Sequence, residues 1–344
     1  MNTSYTGSIN TKVLVLGVGG TIASTITEKG LAPSFSALEV VKRALGGDLP
    51  QNLEASYMDL MRIDSSLRMP EHWVRIARAI YNSYEDYDAF LVLHGTDTMA
   101  YTASALAFAL RGLRKPVVLT GSMRSVEEKD SDAPKNLKGS LEFIKKAVEL
   151  GISGVFLVFN NKVILGVRAS KISSLDFDAF TSVNYPYVAM VYDTGVEVRH
   201  IPRRLLEEPG LKLDDSFDSS VLVLKVFPGM RPEFLDVAVS HGVRGLVIEA
   251  FGLGGLSSVL IEKLKEISEK VPVILTSQPV FGGVDIKVYE VGRRLLDTEV
   301  IPACDMSKEC AIIKLMWALG KTKKVSEVRH VFLKNYEDEV RPCL

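Results

Sequence analysis

Cysteine is scarce in this chain. Three stand in 344 residues: Cys304, Cys310 and Cys343. None falls in a CxxC or zinc spacing, and an odd count argues against a disulfide framework. Reduced thiols in an intracellular protein are the expectation. Histidine is nearly as thin, with five scattered residues, His72, His94, His200, His241 and His330. No HExxH or paired spacing is present, so a zinc or two-metal hydrolase has little support and no metal is expected. No apolar run reaches the ~18 residues of a membrane span. Residues 1–11 are polar and lack the apolar core of a secretory signal. Cytoplasmic location and no membrane partner are expected. The net charge of −1 gives no general attraction to phosphate backbones, so no nucleic-acid partner is expected either. A dinucleotide fingerprint fails because Ile22 stands where GxGxxG needs its last glycine, and a Walker A lysine is missing.

What is present is ordinary globular composition, 47% apolar and 24% charged. A chain of this length reads as two domains. Apolar runs over 13–17, 89–93, 116–120 and 154–159 alternate with helical patterns near 36–45, 70–84, 99–111 and 135–150. A further strand is expected within 55–63 and a return arm at 162–166. Such βαβα alternation predicts an α/β fold, a mostly parallel sheet covered by helices. The pattern lapses between about Glu197 and Ser219, around Pro202, Pro209, Arg203-Arg204 and Asp214-Asp215. Residues 1–198, 199–219 and 220–344 are therefore read as an N-terminal domain, a linker and a C-terminal domain. The second half restarts the alternation, with strands at 221–227, 245–250 and 272–276 and helices near 233–241, 257–270 and 307–319.

Ligands of parallel sheets sit outside the carboxyl ends of strands. Several loops at such ends carry reactive groups. Gly19-Gly20-Thr21 lets the backbone approach a small ligand and leaves a hydroxyl free, although a threonine there also serves as a helix cap. His94-Gly95-Thr96-Asp97-Thr98 ends the most apolar strand. No GxSxG elbow accompanies His94, and at the apolar end of a strand it reads as structural. A hydroxyl becomes a nucleophile only when a base takes its proton. Lys171 lies just beyond the 154–159 strand, toward the same sheet edge as Thr21 and Thr96, and lysine serves as a base only when its neutral form is accessible. Alone, Lys171 reads as a surface lysine. Asp64-Ser65-Ser66 offers hydroxyls for a ligand carboxylate and an acid for an ammonium, or it is a solvated turn. Glu127-Glu128-Lys129-Asp130 reads as a solvated loop face.

Joined, these stretches resemble the bacterial-type L-asparaginase family, in its cytosolic and archaeal form. Gly19-Gly20-Thr21-Ile22 is similar to its first signature and His94-Gly95-Thr96-Asp97-Thr98 to its second. Thr120-Gly121-Ser122-Met123-Arg124, Ser131-Asp132-Ala133-Pro134-Lys135-Asn136 and Phe159-Asn160-Asn161 with Arg168 and Lys171 resemble the segments that follow. Val300-Ile301-Pro302, Asp305-Met306 and Lys314-Leu315 match a common C-terminal pattern. The resemblance implies a larger N-terminal and a smaller C-terminal α/β domain, a homodimer or homotetramer, and hydrolysis of L-asparagine to L-aspartate and ammonia without metal or cofactor. Weaker activity on L-glutamine is implied as well. It implies Thr21 as nucleophile and Thr96, Asp97 and Lys171 as a second catalytic set. Asp97 would also hold the substrate ammonium, and Gly20, Asp64, Ser65 and Ser66 would bind substrate.

Two positions depart from the family. Many members carry a tyrosine on a closing loop about ten residues after the first threonine, where Leu31 stands here. Members often have Gly-Asn in a C-terminal loop where this chain has Gly254-Gly255. Two other readings stand beside the first. Phe251-Gly252-Leu253-Gly254 and Lys314-Leu315-Met316-Trp317 resemble the archaeal glutamyl-tRNA(Gln) amidotransferase subunit that releases ammonia. That subunit usually has an extra N-terminal domain, whereas the first strand here begins near residue 12. An inactive amino-acid-binding protein on the same fold is motivated by Leu31 and Gly255.

Overall fold

The computed structural model of the protein describes residues 10–203, 210–341 and 343. The first half is built around an eight-stranded sheet. In chain order it comprises β1 (Thr11–Gly19), a small hairpin of β2 (Ser24–Thr27) and β3 (Gly30–Pro33), α1 (Ala37–Leu45), β4 (Leu53–Ile63), α2 (Pro70–Asn82), β5 (Ala89–Leu93), α3 (Met99–Ala109), β6 (Leu110–Arg111), β7 (Pro116–Thr120), α4 (Ala133–Leu150), β8 (Gly154–Phe159) and β9 (Lys162–Leu165). The short pair β10 (Ala169–Lys171) and β11 (Phe180–Ser182) follows, then β12 (Ala189–Tyr192) and β13 (Gly195–Val198). The sheet order is β13-β12-β9-β8-β7-β5-β1-β4. The run β4-β1-β5-β7-β8 is parallel, and the other three strands pair antiparallel.

Local chemistry explains the elements. β5, β7 and β8 are apolar and buried throughout, as strands covered on both faces must be. Ser36 and Glu39 form a capping box at the start of α1, and Gly46 ends it in the left-handed conformation. Pro70 occupies the first turn of α2, where its missing N–H costs nothing.

The second half carries β14 (Lys212–Leu213), β15 (Val221–Lys225), α5 (Glu233–Ser240), β16 (Gly245–Ala250), α6 (Ser258–Ser268), β17 (Val273–Ser277), α7 (Glu290–Arg293), β18 (Ile301–Pro302), α8 (Lys308–Lys321) and α9 (Val325–Leu333). Its sheet β15-β16-β17-β18 is wholly parallel. The chain is thus α/β in both halves. Arg204 and Pro209 of the expected linker lie outside the described residues. The rest of that stretch is engaged: β14 pairs with β6, and Asp214 O accepts a hydrogen bond from Trp317 Nε1 at 3.2 Å. Trp317 of α8 in turn stacks on Phe108 of α3, with centroids 5.3 Å apart.

The cysteine expectation is corrected. Cys304 and Cys343 form a disulfide, with Cα atoms 5.3 Å apart. Their separation of 39 residues hides the pairing in sequence, and the folding-back of the tail creates it. Cys310 alone stays a free, buried thiol, and burial pushes it up. Among the described residues no helix is long and apolar enough to cross a membrane, and no group of three or more His, Cys, Asp or Glu residues is arranged to hold a metal ion.

Candidate active site

The carboxyl ends of β1, β4 and β5 bring three loops into contact. Gly20 sits at φ +85°, and a Cβ there would lie 2.2 Å from Gly95 Cα. A Cβ on Gly95 would lie 2.7 Å from Ser65 Cβ and Oγ. Only glycine at both positions lets the loops carrying Thr21, Ser65 and Thr96 close to this distance. Thr98 Oγ1 donates to Ser65 O at 2.8 Å and ties two of the loops directly. Asp64 caps the short turn Ser65–Leu67, accepting at Oδ1 from Ser66 N at 2.8 Å and Ser66 Oγ at 2.7 Å.

Lys171 reaches this cluster from β10. Its Nζ donates to Thr96 Oγ1 at 2.9 Å and to Asp97 Oδ1 at 2.6 Å. Thr96 is buried, whereas the Asp97 side chain is 61% exposed and so remains open to a ligand. Thr21 is half-buried in the turn Thr21–Ala23, and its hydroxyl makes no hydrogen bond to a described residue. Gly20, Thr21, Asp64, Ser65, Ser66, Thr96 and Asp97 thus lie on three touching loops, and Lys171 lies on a strand that reaches them. The lysine meets Thr96 and Asp97, and no hydrogen bond joins it to Thr21.

His94 is structural. Its Nδ1 donates to Gly95 O at 2.6 Å, and its Nε2 accepts from Thr102 Oγ1 at 2.9 Å. Burial first, then the Arg68 guanidinium, lowers its pKa from 6.5 to about 3, so the folded ring stays neutral. Because the folded pKa lies below the unfolded one, this group's contribution is present above pH 6.5 and is lost as pH falls toward 3. Stability should therefore drop by roughly 3 kcal/mol between pH 7 and 4.5 from this group alone. Urea unfolding at the two pH values should show a smaller drop in His94→Gln. An identical drop in both proteins would remove His94 as the cause.

Some supports carry no sequence signal by themselves. Buried Arg68 donates to Val18 O and to Met61 Sδ, bridging the ends of β1 and β4, and burial lowers its pKa to about 10. Asp132 accepts from Met123 N and Arg124 N, and Asn136 Nδ2 donates to Gly121 O at 3.0 Å. These two residues brace the loop after β7. The charge run 127–130 is more than a solvated face. Glu127 accepts from Thr25 Oγ1 at 2.6 Å and pairs with Arg43, and Glu128 accepts from Ser125 N. The β2–β3 hairpin is latched there, with Leu31 half-exposed opposite Ile26. Gly255 closes a tight turn in which its own N–H and that of Gly254 donate to Phe251 O.

A hydroxyl beside a lysine, with a largely exposed carboxylate and a second hydroxyl on the touching loops, suits acyl transfer on a small zwitterion. The chain matches two family models in sequence order. Residues 12–204 match the asparaginase N-terminal domain, and residues 220–332 match the glutaminase/asparaginase C-terminal domain. An L-asparaginase of Thermococcus kodakarensis is 43% identical over 332 residues, 96% of this chain and 99% of that protein. A solved structure of the thermostable L-asparaginase from that organism superimposes with a TM-score of 0.90 at 42% identity, covering 96% and 99% of the two chains. The structure of L-asparaginase I from Vibrio cholerae gives 0.82 at 28% identity, over 97% and 100%. A glutamyl-tRNA(Gln) amidotransferase subunit of Pyrococcus abyssi is 37% identical over 346 residues, 96% of this chain but 77% of that protein. With both domain models matched and an L-asparaginase aligned along nearly its whole length, the chain belongs to the asparaginase family.

Proposed function

We propose that the protein hydrolyses L-asparagine to L-aspartate and ammonia through a threonine nucleophile, with weaker activity on L-glutamine. The observation that carries this reading is the contact of Lys171 with both Thr96 and Asp97, in a chain matched along 96% of its length to an L-asparaginase. Asp97 receives the substrate ammonium, and Ser65, Ser66 and Asp64 receive its α-carboxylate and ammonium end. The Thr21 hydroxyl attacks the side-chain amide carbon. Its proton leaves with the amine as ammonia, and an aspartyl ester on Thr21 remains. Water held by Thr96 and Lys171 then cleaves the ester, returning the proton to Thr21 and releasing aspartate. Backbone N–H groups of Thr21 and of the Gly95–Thr96 loop stabilise the oxyanion in both steps.

The physiological unit is proposed as a homodimer or homotetramer in the cytoplasm, serving asparagine breakdown. A division near residues 199–219 is proposed as the domain boundary, supported by family models that end at 204 and resume at 220.

Ammonia release from L-asparagine, L-glutamine and D-asparagine by purified protein tests the function. L-asparagine should be the preferred substrate. Release from none of the three free amides would overturn the reading and favour the amidotransferase one, which rests on the 37% identity to the Pyrococcus abyssi protein. The family's loop tyrosine has no counterpart at Leu31. Leu31→Tyr should therefore raise turnover, by about a hundredfold if the tyrosine acts at the low end for a positioned proton-transfer group. An unchanged steady-state rate would mean that another group already fills the role.

A further inference from the structure

Lys171 sits on a strand with little to hold it. β10 is three residues long, pairs only with β11, and lies outside the eight-stranded sheet. A catalytic amine must nonetheless be placed to within a fraction of an ångström. The anchorage comes from the other half of the chain. Ser307, the residue that caps α8, donates from Oγ to Val167 O at 3.2 Å. Fully buried Arg168 donates to Asp305 O at 3.0 Å and pairs with its carboxylate. Ser170 Oγ donates to Glu309 Oε1 at 2.7 Å.

The last contact differs from the others. Successive side chains of a strand point to opposite sides, so Ser170 faces α8 while Lys171 faces Thr96 and Asp97. The Glu309 side chain is buried, and its Oε2 has no hydrogen-bond partner among the described residues. Lys308 and Glu249 are the charged groups beside it, on α8 and β16, and the Tyr101 phenol of α3 faces it too. A half-satisfied buried carboxyl destabilises a junction that an apolar residue would fill at no such cost.

We propose that Glu309 is a positioning residue for Lys171, acting through Ser170 to hold β10 from behind while the amine engages Thr96 and Asp97. The proposal rests on the reading of Lys171 as a catalytic group. Burial holds the Glu309 acid toward its neutral form, which makes an amide a close replacement.

The test compares Ser170→Ala, Glu309→Ala, their combination and Glu309→Gln in full-length protein. Each alanine variant should lower kcat on L-asparagine about tenfold with KM changed less than about twofold, the pattern of a mispositioned group rather than lost binding. The double variant should lose no more than the worse single one, because both break one link. Glu309→Gln, which keeps an acceptor for Ser170, should recover most of the rate. Wild-type kcat in folded Ser170→Ala, or additive losses in the double variant, would overturn the proposal. Ser170→Ala carries the test if Glu309→Ala does not fold. Amide exchange of residues 169–171 separates the two readings. Without turnover by the wild-type protein the functional reading fails. Faster exchange in Ser170→Ala would then still support the anchor, and unchanged exchange would overturn it.

Discussion

Lys171→Met should lower turnover of L-asparagine by at least about a hundredfold, or about 2.7 kcal/mol of transition-state stabilisation. Methionine fills nearly the same volume but cannot donate to Thr96 Oγ1 or Asp97 Oδ1, the two contacts the amine makes. The Lys171 side chain is 17% exposed and only one of its partners is buried, so the fold should survive. The loss should fall mainly on kcat, because Asp97 stays in place to bind the substrate ammonium. Lys171→Arg should not recover the rate, since a guanidinium keeps its proton. Activity of Lys171→Met within tenfold of wild type would show that no base acts from this position.

Thr21→Ala should cost at least about as much, a hundredfold in kcat/KM, and should do so with little change in stability. The reason is local. The Thr21 hydroxyl is bonded to no described residue, so removing it leaves no buried partner unsatisfied. A catalytic loss without a shift in thermal midpoint is the expected signature. Thr21→Ser, which keeps the hydroxyl, should recover part of the rate. Wild-type turnover in Thr21→Ala would transfer the attacking role to Thr96, which already touches Lys171.

Much of the fold is legible in the chain because its strands are buried on both faces. The apolar runs that form β5, β7 and β8 end within a residue of where the side chains turn polar. The four-residue strands of the β2–β3 hairpin show no such run, and their exposed Ile26 and Leu31 mark no core. β10 and β11 are three residues each and are defined by their pairing with each other, far too short to show a period. For the site, the glycine-threonine loops announce themselves jointly, because two of them, around Thr21 and Thr96, end buried strands of one parallel sheet. Lys171 does not, because its partners lie 74 and 75 residues away. The same holds for Arg68, Asp132, Asn136 and Glu309, whose work is to hold other segments. Glu127 reads as solvated because a charge run carries no sign of the Thr25 hydroxyl that meets it 102 residues earlier. The cysteine count misleads because a single bridge and one buried thiol also make three.

The central claim is that a threonine of the first loop attacks the amide. Acid quenching of the wild-type protein during turnover of L-asparagine, followed by peptide mapping by mass spectrometry, tests it most directly. An aspartyl ester should appear on the tryptic peptide running from Val13 to Lys29, which contains Thr21, and should vanish in Thr21→Ala. An ester on the peptide containing Thr96 instead, or none at all while ammonia is released at full rate, would contradict it.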